Sequence, residues 1–259
     1  MKKFPERRTA ESAASFLIER ALKRGAAAAD VLYTFNSGHS LSLIDGEPEK
    51  ISSGFSLGIG LRTLDSSGRQ GVAHVNSLDR ILLEEVVDWS LSNCRSSEPD
   101  PYIALAPLQP LRSGDLGLCD EAILNLTFEE RMAFCKEMWN EAGNADRRVL
   151  SVRSSSWGDG AGEVLYASSV GAMMWYAGAS AGCGVSVILS SGDEMEMGGY
   201  GDESRILSAL SPRETAREAV RRTAMVLGGE PLPTGRYDLL LDPESSSSFI
   251  EVLGELFLA

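Results

Sequence analysis

Histidine is the scarcest functional residue in this sequence: only His39 and His74 occur in 259 positions. That count removes most sites built on paired histidine ligands, because a catalytic zinc takes three protein donors, commonly imidazoles. Cysteine is nearly as rare. Cys94, Cys119, Cys135 and Cys183 are widely separated and form no Cys-x-x-Cys pair, so neither a disulfide framework nor a zinc ribbon is suggested, and reduced, partly buried thiols are the simpler reading. No apolar run approaches the ~18 residues of a membrane span. The basic start Met1-Lys2-Lys3 has no apolar stretch behind it, so no signal peptide is read, no membrane is expected, and a cytoplasmic location is the expectation. Basic residues are also in deficit: 24 Lys and Arg against 37 Asp and Glu leave a net charge of −13. Binding along a nucleic-acid backbone needs cations that displace phosphate counterions, so direct contact with nucleic acid is not expected. No Gly-x-Ser-x-Gly elbow occurs, and Cys183 has no activating neighbour in its glycine-rich run.

What is present is an apolar content of 43%, enough for one large or two ordinary domains. Residues 9–25 read as an amphipathic helix, with Ala13, Phe16, Leu17 and Ala21 on one face and Gly25 as the stop. Strands are expected over 30–35, 40–44, 49–57 and 70–75, separated by turn chemistry at Asn36-Ser37-Gly38, Asp45-Gly46-Glu47-Pro48 and Asp65-Ser66-Ser67-Gly68. Ser77 is positioned to cap a following helix whose inward face is Leu82, Leu83, Val86 and Trp89. Periodicity then lapses, and Pro99, Pro101, Pro107 and Pro110 mark a connector. Thr127 and Glu130 form a capping box for a second helix. Residues 149–157 and 163–168 read as strands of a hairpin turning at 158–162. An extended stretch over 172–189 is expected to bend or bulge at 177–184, and a strand follows at 194–200. Ser211, Pro212 and Glu214 open a helix that stops at Gly228-Gly229. Residues 236–241 read as a short buried strand, and Asp242 and Pro243 start a final helix with Phe249, Ile250, Leu253 and Phe257 on one face.

The expectation is therefore an α+β fold: an N-terminal helix, β-meander and helix over 1–95, a proline-rich connector over 96–126, and a second β-rich α+β region over 127–259. Neither glycine-rich segment, 54–60 or 158–162, lies between a strand and a helix N-terminus, so strand bulge and hairpin turn are preferred to phosphate binding. Glu194 and Glu196 alternate with Met195 and Met197. In a strand that sets an acidic face against a methionine face, and the plain reading is a half-buried strand with a wet acidic side. The sharper one makes Glu194 and Glu196 substrate-binding residues in a groove for a basic peptide. Glu251 and Glu255 are an i, i+4 carboxylate pair on the final helix, a solvated face unless a cation compensates their repulsion.

Several segments, in order, resemble the TldD/PmbA family of DNA gyrase modulators and peptide-maturing metalloproteases. They are Leu43-Ile44-Asp45-Gly46-Glu47, Gly58-Ile59-Gly60-Leu61-Arg62, Gly71-Val72-Ala73, Ser169-Val170-Gly171, Leu227-Gly228-Gly229, Pro233-Thr234-Gly235-Arg236-Tyr237 and Leu241-Asp242-Pro243. The resemblance implies that the final helix occupies the place of the family's His-Glu-x-x-x-His helix, which supplies two metal ligands and a general base. Aligned on Gly254, Ile250 stands at the first histidine, Glu251 at the glutamate and Glu255 at the second histidine. Glu251 is then the candidate catalytic position, and no metal is expected on this chain. The similarity is to the PmbA (TldE) branch, which lacks the motif, carries no cofactor, and pairs with a zinc-bearing TldD-type subunit around an unfolded peptide. The partner expected is a TldD-like protein or a second copy. Family members continue through a further C-terminal domain, so a truncated or partial chain is also expected. An active hydrolase with an unrecognised site, and a binding module that docks a partner through the edge of its meander, are the alternatives.

Overall fold

The computed structural model describes residues 7–107 and 116–258. Residues 1–6, 108–115 and 259, which include Pro110 and part of the expected connector, lie outside the described residues. By internal contact the chain forms two compact units, Met1–Leu227 and Gly228–Ala259.

In the first unit, helix α1 (Arg7–Lys23) leads into two long antiparallel strands, β1 (Ala28–Ile44) and β2 (Glu47–Leu64), and the shorter β3 (Gln70–Val75). Helix α2 (Arg80–Ser96), a single turn α3 (Glu121–Leu124) and α4 (Phe128–Ala145) precede β4 (Val149–Ser168), β5 (Met173–Ser191) and β6 (Glu194–Ser204). A 3-10 turn at Leu207–Ala209 introduces α5 (Pro212–Val226). The six strands make one antiparallel sheet in the order β3-β2-β1-β4-β5-β6. Pairing of β1 with β4, from Asp30 opposite Ser168 to Ile44 opposite Ser154, carries the sheet through both halves of this unit. The whole is α+β.

Local chemistry explains the ends of these elements. Asp45 and Gly46 both have positive φ, 50° and 82°, which is the turn that joins two twisted strands in two residues. Gly25 at φ 101° and Gly228 at φ 80° stop the helices before them. Thr127 and Glu130 make the reciprocal capping box, and Ser211 accepts from the Glu214 amide. At α2 the cap is Asp79, accepting from the Ile81 amide, while Ser77 accepts from the Asp79 amide instead of capping the helix.

Three expected interruptions are absent because glycine and serine here serve close strand packing, not turning. β1 runs straight through Asn36-Ser37-Gly38, β4 through 158–162, and β5 through 177–184. None of Gly38, Gly158, Gly160 or Gly162 adopts positive φ. Instead Gly54, Gly38, Gly160 and Ser180 stand side by side across β2, β1, β4 and β5, with Gly158 opposite Gly182. A side chain at Gly162 would meet Asn36 Oδ1 at 2.5 Å, so the belt lets neighbouring strands and side chains approach.

This belt is a waist between two cores on the same side of the sheet. One packs α1 and α2 over Val31, Tyr33, Ile59, Leu61 and Leu165; the other packs α3, α4 and α5 over Leu41, Leu43, Trp157, Val185, Val187 and Leu189. Odd-numbered positions of β1 and β5, and of β4 from Ser155 on, point to these helices, and even-numbered ones to the opposite, open face; register shifts earlier in β4 turn Val152 to the helix side instead.

Candidate functional site

The second unit holds α6 (Pro243–Glu255), which Asp242 caps by accepting from the Ser245 amide at 2.7 Å. The strand expected over 236–241 does not form: those residues have no ladder partner among the described residues, and Leu240 is wholly exposed. Within α6, Glu251 and Glu255 are exposed and Ile250 is 66% exposed. The donors that α6 offers at the aligned positions are thus two carboxylates and an isoleucine. An isoleucine cannot ligate zinc, and two exposed carboxylates one turn apart do not fit the three-ligand geometry of a catalytic site. Among the described residues no group of three or more His, Cys, Asp or Glu is placed to hold a metal ion.

Glu194 and Glu196 lie at the start of β6, opposite Ser191 and Leu189, on the helix side of the sheet. Met195 and Met197 point to the open face, 64% and 68% exposed. This differs from the half-buried strand expected, because no helix of this unit covers the face that carries the methionines.

The open face is poor in large side chains at its middle. β1 presents Thr34, Asn36, Gly38, Ser40 and Ser42 there; β2 presents Ser52, Gly54, Ser56, Gly58 and Gly60; and β5 presents Gly178, Ser180, Gly182, Gly184 and Ser186. Towards β3 the face gains chemistry. Arg62 donates through Nε and one Nη to the two oxygens of Asp30, at 2.9 and 2.6 Å, and the Tyr166 hydroxyl donates to the same carboxylate at 3.0 Å. The bonded Asp30 holds the guanidinium above its usual range, while burial and the neighbouring Asp30 push the Tyr166 hydroxyl up. With His74, Leu32 and Val72 these groups line a cleft of about 480 Å³. A fixed guanidinium of this kind orients a hydrogen-bonding ligand.

Across the sheet, at the waist, Arg131 of α4 makes a buried pair with Asp159 of β4. Its Nε and Nη2 reach the carboxylate at 2.5 and 2.8 Å, its Nη1 donates to the Leu126 carbonyl at 2.8 Å, and Trp157 Nε1 donates to Asp159 at 2.9 Å. Further along the helix side of the sheet, towards α1 and α2, Glu163 Oε2 and the Tyr33 hydroxyl are buried without a hydrogen-bond partner among the described residues. Burial raises the Glu163 carboxyl, and burial together with the Glu163 charge lifts Tyr33 to about 12. Neither the Asp30 cluster nor the Arg131 pair was visible in the sequence: Asp30 and Tyr166 are 136 residues apart, and only the strand register brings them together.

The sequence matches domain 1 of the PmbA/TldA metallopeptidases over residues 29–94 and their central domain over residues 121–227. The chain belongs to the PmbA/TldD family. Solved structures of the same fold include a modulator of DNA gyrase from Bacteroides thetaiotaomicron, 24% identical with a TM-score of 0.83, covering 94% of this chain and 56% of that one. A modulator of a DNA gyrase from Thermotoga maritima is 17% identical, TM-score 0.77, covering 87% and 50%. TldE from Thermococcus kodakarensis is 16% identical, TM-score 0.71, covering 82% and 47%. The chain thus spans about half the length of these PmbA/TldD relatives. Among curated proteins there is no match. No helix among the described residues is long and apolar enough to cross a membrane.

Proposed function

We propose that this chain acts as a metal-free subunit of the TldE type, which walls a chamber and presents unfolded peptide to a TldD-type zinc metalloprotease. The observation that carries the reading is the donor set of α6: Ile250 and Glu255 stand where the family's two histidines belong, so the zinc is assigned to the partner. The open face of the sheet supports a chamber role. Its Gly and Ser middle leaves room for an extended chain to lie against backbone, and Arg62, held by Asp30, supplies one oriented cation at its margin. Glu194 and Glu196, at the far edge, point to the helix side of the sheet, so they would meet a basic peptide only where it passes round that edge and not on the open face.

Reconstitution tests this. The chain is mixed with a TldD-type protein bearing His-Glu-x-x-x-His and assayed on an unfolded peptide; co-elution together with cleavage only by the mixture is the expected result. Glu251 occupies the position of the family's general base, yet Glu251→Gln in the mixture should leave hydrolysis intact, since the partner carries the chemistry. Cleavage by this chain alone, abolished by Glu251→Gln, would overturn the proposal.

A further inference from the structure

The Arg62 guanidinium is held on one side and free on another. Nε and Nη2 are the nitrogens that reach Asp30, at 2.9 and 2.6 Å, so the pair is made side-on. Nη1, and the end-on edge it shares with Nη2, meet no acceptor among the described residues. Asp30 is buried and takes the Tyr166 hydroxyl as well, whereas the Arg62 side chain is 34% exposed. The carboxylate is enclosed, and the open edge of the cation is not. A guanidinium presents its donors as a rigid planar fork that matches a carboxylate two bonds at a time. Because Asp30 already fixes this fork, little entropy is left to lose when a second carboxylate docks on it.

The surroundings say what that carboxylate is attached to. Leu32 and Val72, 52% and 54% exposed, stand in the cleft of about 480 Å³, with Gly58 and Gly60 of β2 between them. Val72 is directly opposite Arg62 in the ladder and Leu32 opposite Gly60, so both apolar side chains rise from the open face beside the guanidinium. Asp30, already paired, is the only acidic residue in the lining. A mainly apolar cleft of this size with a few placed polar groups is the usual form of a ligand site, and this one fits a single anionic group on an apolar body. Away from Arg62 the open-face positions of β2 are Gly60, Gly58, Ser56, Gly54 and Ser52. The cleft therefore opens onto a lane without large side chains, at one end of which Arg62 stands. The lane has room for main chain, and the cleft for one side chain beside a carboxylate.

We propose that this cleft binds the C-terminal end of an extended peptide, with the terminal carboxylate on the free edge of Arg62 and an apolar last side chain between Leu32 and Val72. Asp30 and Tyr166 act as positioning residues, since they hold the guanidinium and leave the ligand to it. That the ligand is a peptide rests on the proposed subunit role, while the carboxylate and the apolar group follow from the cleft itself.

The test uses the full chain alone and a peptide of glycine and serine that ends in leucine with a free carboxylate, labelled with fluorescein at its N-terminus and read by fluorescence anisotropy. Saturable binding is expected, weakened by about tenfold or more when the terminal carboxylate is amidated, and by a similar factor when serine replaces the leucine. Val72→Glu sets a carboxylate across the ladder from Arg62, where it takes the free edge itself and leaves the Asp30 pair in place. It should abolish the preference for acid over amide with an unchanged circular dichroism spectrum. Equal affinity for acid and amide, or no saturable binding at roughly 1 mM peptide, overturns the inference. So does a preference for the acid that survives Val72→Glu, because the carboxylate is then read elsewhere. Displacement of the peptide by 4-methylpentanoate at equal concentration would make a free apolar acid the ligand, and also overturns it. Binding is read without partner or metal, so a mixture that fails to cleave while the acid is still preferred here counts against the subunit role and not against this cleft.

Discussion

Removing the Arg131 guanidinium should destabilise the first unit severely, through what it leaves behind. The Arg131 and Asp159 side chains are 7% and 5% exposed, so water cannot replace either partner. In Arg131→Met, Asp159 keeps the Trp157 indole as a donor but loses both guanidinium bonds, and the Leu126 carbonyl loses its partner. Breaking a buried pair from one side costs about 3–5 kcal/mol. At about 2–4 °C per kcal/mol for a chain of this size, Tm falls by about 6–20 °C. Adding Asp159→Leu removes the stranded charge, so the double variant should regain much of the loss, and the two substitutions should couple by about 2 kcal/mol or more. Urea unfolding followed by tryptophan fluorescence reads this well, because Trp157 stacks on Phe134 at 4.4 Å beside the pair. A loss below about 1 kcal/mol for Arg131→Met, or a double variant as unstable as the sum of the singles, would refute the reasoning.

Other substitutions probe other parts of the fold. Burial raises the Glu163 carboxyl above its ordinary range, so the folded state holds the proton more tightly than the unfolded chain, and stability falls as pH rises from that range through the folded pKa. Glu163→Gln should therefore stabilise at pH 7, with the gap closing as the pH falls to the ordinary carboxylate range of about 4 in thermal melts across pH. A methyl group at Gly71 would collide with the Ser90 carbonyl and the Cys94 amide of α2, so Gly71→Ala should cost about 3 kcal/mol in urea titration. Thr127→Ala removes the capping box of α4 and should cost about 1 kcal/mol by the same assay.

Much of this fold was legible in the sequence wherever a residue acts through its own backbone. Asp45-Gly46, Gly25, Thr127 with Glu130, and Ser211-Pro212-Glu214 each mark their element because caps and tight turns are local chemistry. The glycines of the waist misled for the converse reason. In Gly158 to Gly162 the small residue answers a neighbour on another strand, and composition cannot distinguish that from a turn. The segment 236–241 has the apolar run of a strand, but strands are made by partners, and it has none among the described residues of its unit. The site was legible only as a set of identities. Ile250, Glu251 and Glu255 could be placed on a helix from spacing, whereas Asp30 with Arg62 and Tyr166, and Arg131 with Asp159, depend on register and packing across the sheet.

The central claim is that the zinc and its chemistry belong to a partner, and metal stoichiometry tests it most directly. The purified chain is equilibrated with zinc, exchanged into chelator-free buffer, and measured for bound metal alongside hydrolysis of an unfolded peptide. Far less than one zinc per chain, and no cleavage until a TldD-type protein is added, are the expected results. One zinc per chain, held tightly and accompanied by cleavage without any partner, would contradict it.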